Sequence, residues 1–139
     1  RIIDITNKTQ PALVGYYSPS GWQTQEGKVV DYYEGRIGFG RTVGGFNVIA
    51  NHEIFMISTT STIKSKDIPG GVYGLIIRPK YIVLLTHSIG KELQILDANL
   101  DHSLRDVSLD VLPSRMACDG DYIYFATGDK SGVYVLKIE

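Results

Sequence analysis

The sequence has little of what several function classes depend on. Its 139 positions hold a single cysteine, Cys118, which excludes an intrachain disulfide framework and any multi-cysteine metal site. Basic residues number 14 against 15 acidic ones, for a net charge of −1. With no cationic excess to neutralise phosphates, a dedicated nucleic-acid binder is not expected. The longest apolar run is about six residues, too short to span a membrane as a helix. No stretch keeps an apolar 3.6-residue period for three turns. The best candidate, 98–109 with Leu100, Leu104 and Val107, reads better as a loop entering a strand.

What remains is the composition of a folded chain, 43% hydrophobic and 21% charged. β-Branched and aromatic residues gather in short runs, such as Ile54, Phe55, Met56 and Ile57, or Tyr81 to Leu85, or Tyr122 to Phe125. Runs of this length between turn residues read as strands. Turn residues are dense: Gly44 and Gly45, Asn51 and His52, Pro69 to Gly71, Arg78 to Lys80, Asp119 to Asp121, and Gly128 to Gly132. The expected class is all-β.

A repeat sharpens this into an architecture. Tyr81 and Ile82 align with Tyr122 and Ile123 at a shift of 41, and Leu93 to Asp97 aligns with Val133 to Lys137 at a shift of 40. Ile54 to Ser58 precedes Leu93 by 39, and Arg1 aligns with Phe55 at a spacing of 54. A period near 40 with four short strands is that of a β-propeller blade. The expectation is about three four-stranded antiparallel blades, at 10–58, 59–97 and 98–139, after a leading outer strand at 1–5. The strand at 103–109 is expected to head the last blade, next to the axis. In the first blade a Gly44–Gly45 turn leads into a strand at 46–50. Three blades do not close a ring. A segment of a larger propeller is the simplest reading, with a half-ring of two copies and a compact sandwich as alternatives. The chain opens inside a strand and stops directly after one, as a processed product or part of a longer chain would.

Residues 1–17 carry Asp4, Asn7, Pro11, Leu13, Val14, Gly15 and Tyr17 in a pattern that resembles the LVIVD repeat of bacterial and archaeal surface propellers. Lys8 stands where that repeat usually has proline. Leu93 to Asp97 and Asp119 to Ala126 look like later parts of the same repeat. The resemblance implies a propeller, an extracellular or cell- or virion-surface location, and no catalytic residues, because the shared positions are structural.

Chemistry-bearing residues are scattered. His52 and His87 fall in or beside hairpin loops and His102 in an inter-blade loop, with no short spacing that would converge on zinc. The acidic turns around Asp119 and Asp129 lack the alternating ligands of a calcium loop. Cys118 aligns with Ile77 and reads as a buried structural thiol. No nucleophile elbow is present, and the glycines between 35 and 45 read as small residues on a crowded inner strand rather than a phosphate loop. Neither a metal nor another cofactor is expected.

The most distinctive segment is an apparent insertion at 18–35, which carries the only tryptophan, Trp22, with Tyr32 and Tyr33. Aromatics on a loop at one propeller face can bind protein or sugar. Asn7, Lys8 and Thr9 form a glycosylation sequon in a surface loop. The leading function is therefore a non-enzymatic structural or interaction module, its partners being other blades of the same or a neighbouring chain and a protein or glycan. The alternative is a ligand-binding or enzymatic propeller whose axial site is completed by residues outside this chain.

Overall fold

The computed structural model describes residues 2–15, 26–34, 36–42, 52–58, 63–127 and 132–138. Among these residues every regular element is a strand. β1 (Ile2–Asp4) and β2 (Ala12–Gly15) form a two-stranded ribbon. β3 (Glu26–Tyr33), β4 (Arg36–Thr42), β5 (His52–Ser58) and β6 (Ile63–Asp67) form a four-stranded sheet in chain order. A second four-stranded sheet holds β7 (Val72–Ile77), β8 (Tyr81–Thr86), β9 (Leu93–Asp97) and β10 (Ser103–Val107). The last sheet has three strands, β11 (Pro113–Asp119), β12 (Tyr122–Thr127) and β13 (Val133–Lys137). All neighbours are antiparallel.

The sheets are grouped one strand out of phase with the sequence expectation. β10 does not head the last sheet; it pairs with β9, with Val107 opposite Leu93 and Asp106 opposite Gln94. β6 pairs with β5 in the same way. The cause is local. Asp97 follows the last buried residue of β9, and its Oδ1 accepts the N–H groups of Asp101 at 2.8 Å and His102 at 3.2 Å. Leu100 completes the turn at φ 64, a conformation costly for a branched side chain. Its side chain is only 5% exposed in the core, which offsets that cost. The tight turn returns the chain alongside β9 before it can start a new sheet.

Of the segment read as an insertion, the residues of β3 form a strand. Val29 to Tyr33 alternate between half-buried and exposed, the period-2 pattern of a half-buried strand. Val29 and Tyr33 pack on the core while Val30 and Tyr32 face outward. The expected turn at Gly44 and Gly45 and the strand at 46–50 lie outside the described residues. β4 pairs directly with β5, Thr42 opposite His52.

Strands β7 to β9 of the second four-stranded sheet are buried on both faces, while β10 is exposed. Ile82, Leu84 and Leu96 join Ile68, Val72, Leu75, Ile77 and Leu100 on the side of β3. Val83, Leu85 and Leu93 join Ile76, Val111, Ile123 and Phe125 on the side of the last sheet. Alternate residues of β8 thus point into different cores, which is why Tyr81 to Leu85 reads as an unbroken apolar run. Each such side chain contributes roughly 1.5–3 kcal/mol on burial.

Glycines set the spacing between sheets. A Cβ on Gly40 would lie 2.9 Å from the Cγ2 of Val29 and 2.9 Å from the Cβ of Val72. A Cβ on Gly74 would lie 2.9 Å from the Cβ of Met116. For Gly40 this agrees with the crowded-strand reading. Gly74 plays the equivalent part at the next seam.

A buried carboxylate fastens the β8–β9 turn. Glu92 Oε1 accepts the N–H of Gly90 and Oε2 that of Leu109, both at 3.0 Å. Burial opposes its ionisation, but backbone N–H groups of Leu109, Glu92 and Gly90, with the Ser108 hydroxyl, outweigh that and hold the carboxyl below its ordinary value. Because the folded value is the lower one, its stabilisation is complete above the unfolded pKa and is lost as pH falls through the folded one. Denaturant melts should therefore show Glu92→Gln less stable than wild type by roughly 1–3 kcal/mol near neutral pH. The gap should narrow below about pH 4. A gap that stayed constant into that range would show that the charge is not what stabilises.

Candidate functional site

The three aromatics singled out in the sequence do not form one described surface. Trp22 lies outside the described residues. Tyr32 and Tyr33 sit on β3 rather than on a loop, and as consecutive strand residues they point to opposite faces. Tyr32 is 64% exposed, whereas Tyr33 packs against the first core cluster. Asn7 is exposed in the β1–β2 turn, where its Oδ1 accepts the N–H of Thr9 at 3.1 Å and the Thr9 hydroxyl at 2.8 Å.

The histidines remain apart in role. His52 opens β5, His102 is exposed before β10, and His87 follows β8. His87 is not a free loop residue. Its ring stacks on Tyr73 with centroids 3.6 Å apart, and its Nε2 lies 3.0 Å from the Pro113 carbonyl. Among the described residues no group of three or more His, Cys, Asp or Glu side chains could hold a metal ion. Cys118 is half-buried, not fully buried, at the edge of the second core cluster.

What the sequence did not single out is a polar seam joining the three first strands. β7 is the edge of its sheet, so its outward N–H groups have no strand partner. Asp31 on β3 takes one of them, accepting the Ile77 N–H through Oδ2 at 2.7 Å. Arg36 donates from Nη2 to the Arg78 carbonyl at 2.8 Å. Arg78 donates to the Ile77 carbonyl at 2.8 Å and to the Cys118 thiol, which links β7 to β11. Beside this seam the Tyr33 hydroxyl is raised above its ordinary range by its hydrogen bond to Glu34, with Arg78 and Arg36 pulling the other way. These are clamping interactions: the Asp31 carboxylate and the Arg36 guanidinium act on backbone atoms of the neighbouring sheet, and Arg78 reaches the thiol of the next one. The only sequence signal was charge inside otherwise apolar strands, and its meaning needed the partner strand. Asp31→Ala should cost roughly 1–3 kcal/mol by stranding the Ile77 N–H, and Asp31→Asn, which keeps an acceptor, clearly less. Equal losses in chemical denaturation would show that the hydrogen bond is not what matters.

A second candidate site is the outer face of the last sheet. Inward residues Ile123 and Phe125 are buried, while Ala117, Tyr124 and Val135, which face one another in register, are exposed. Ala126 and Val133 form the next row, the alanine half-buried and the valine 68% exposed. This is a contiguous apolar and aromatic face rimmed by Arg115 and Asp119. The sequence matches no family model, and neither the curated proteins nor the solved structures contain a match to it.

Proposed function

We propose that this chain is a non-enzymatic interaction module, a segment of a larger β-propeller of the LVIVD-repeat kind, working at a cell or virion surface or outside the cell. The observation that carries the reading is the repetition of one sheet-on-sheet arrangement. β7 lies against both β3 and β11, a glycine opens each of the two seams, and strands β7 to β9 are covered on both faces. Further sheets, on this or a neighbouring chain, would continue the series. The exposed Asn7 sequon and the exposed Tyr32 favour a surface role with a protein or glycan partner. Cryo-electron microscopy of the assembled particle tests this by counting sheets about the axis. Four or more are expected, as in closed propellers. A particle of three sheets with no ring would overturn it.

A further inference from the structure

The turn between β1 and β2 carries the only Asn-x-Ser/Thr triplet in the 139 residues, Asn7, Lys8 and Thr9. Lys8 is not the proline that would bar the triplet as a glycan acceptor. Every residue from 3 to 13 is exposed. Asp4 Oδ1 accepts the N–H of Thr6 at 2.8 Å and its hydroxyl at 2.6 Å, and the Asn7 carbonyl accepts the N–H of Gln10 at 3.1 Å. Asn7 Oδ1 accepts both the N–H and the hydroxyl of Thr9, so the two side chains that define the triplet touch in the folded turn. Among the described residues Asn7 makes its side-chain hydrogen bonds through Oδ1, which leaves Nδ2, the atom a sugar would join, out of them.

This exposure does not depend on where the sequence starts. Through the spacings of 54 and 39, Asp4 corresponds to Asp97. Each aspartate accepts N–H groups of the turn that follows it through its Oδ1. Leu93 and Leu96 of β9 lie in the two different cores, so that strand is covered on both faces. Asn99, Asp101 and His102 in the turn after it are nevertheless exposed, and the apolar Leu100 is the residue that turns inward. A turn at this junction therefore leaves the stacked layers and meets solvent even in the middle of the stack. The turn after β1, at 5–11, is the longer of the two.

We infer that Asn7 is an N-glycosylation site. The co-substrate is a polyprenyl-diphosphate-linked oligosaccharide. Asn7 Nδ2 displaces the polyprenyl diphosphate from the anomeric carbon: an N–C bond forms, the C–O bond to phosphate breaks, and the proton leaving Nδ2 passes to the transferase or solvent. The bulky, solubilising sugar sits on a turn at the end of the strands, clear of the seams between sheets. This deepens the surface or extracellular reading above and rests on it.

The test is peptide mass spectrometry of the natural chain, combined with labelling of intact cells, particles or medium by a membrane-impermeant amine reagent. The peptide holding Asn7 should carry a carbohydrate mass, and the lysines of the chain should take the label. Asn7→Gln and Thr9→Ala, expressed in the same cells, should each lose that mass completely, while Thr9→Ser keeps it. An unmodified Asn7 in a chain that takes the label overturns the glycan and leaves the location standing. An unmodified Asn7 in a chain the reagent does not reach overturns both. A carbohydrate mass that survives Asn7→Gln belongs to another side chain and overturns the assignment to Asn7.

Discussion

Gly70→Ala should lower the unfolding free energy by about 3 kcal/mol or more, enough to take roughly 10 °C from the melting temperature of a domain this size. Two effects combine there. Gly70 has φ +82, and a Cβ on it would lie 2.4 Å from the Ser88 nitrogen and 2.7 Å from the His87 carbonyl carbon. Those are backbone atoms, held by the hydrogen bond from His87 N–H to the Gly70 carbonyl at 3.2 Å, so they cannot swing aside as a side chain could. Gly90 supplies the control. Its φ is +79, but nothing lies within 4 Å of a Cβ placed there. Gly90→Ala should therefore show the backbone term alone, about 1–2 kcal/mol. Urea denaturation of both variants separates the two contributions. Equal losses would mean that the approach of residues 87 and 88 to the glycine is not what constrains it.

Phe125→Ala should cost about 3–5 kcal/mol, as expected when a large buried ring leaves a cavity. Phe125 is 2% exposed within the core shared by the second and third sheets, and it stacks on Tyr134 with centroids 5.3 Å apart. Its neighbour Tyr124 offers an internal comparison. It faces the other way, so Tyr124→Ala should change the stability of a single chain by less than about 1 kcal/mol. If Tyr124→Ala destabilised the dilute chain as much as Phe125→Ala, the outer face would have to be covered within one molecule. Thermal melts of the two variants in dilute solution tell these outcomes apart.

The sequence revealed the strands of the second and third sheets because their pattern is short-range. Tyr81 to Leu85 is apolar throughout and flanked by turn residues, so a strand is its only economical reading at that length. The hairpins at Arg78 to Lys80 and at Gly120, with φ 54, were equally local. β3 was missed although its alternation from Val29 to Tyr33 was visible. Comparison with the shorter repeats made the extra residues look like an insertion. The grouping of strands was misjudged for a different reason: the period near 40 leaves open where a unit begins. Only the turn led by Asp97, closed by Leu100 in a conformation a sequence pattern would not assign to leucine, returns β10 to β9.

The functional surfaces divide along the same line. The lack of paired cysteines and of cationic excess followed from composition alone, as did the all-β class, since these depend only on which residues are present and how they alternate. Asp31, Arg36 and Arg78 look like ordinary strand and turn charges until β3, β7 and β11 are set side by side. Tyr124 and Phe125 are adjacent aromatics of similar size, and no local rule says which one is covered. That was decided by the tertiary structure, because burial depends on which sheet a face meets, and the facing residues lie tens of positions away along the chain.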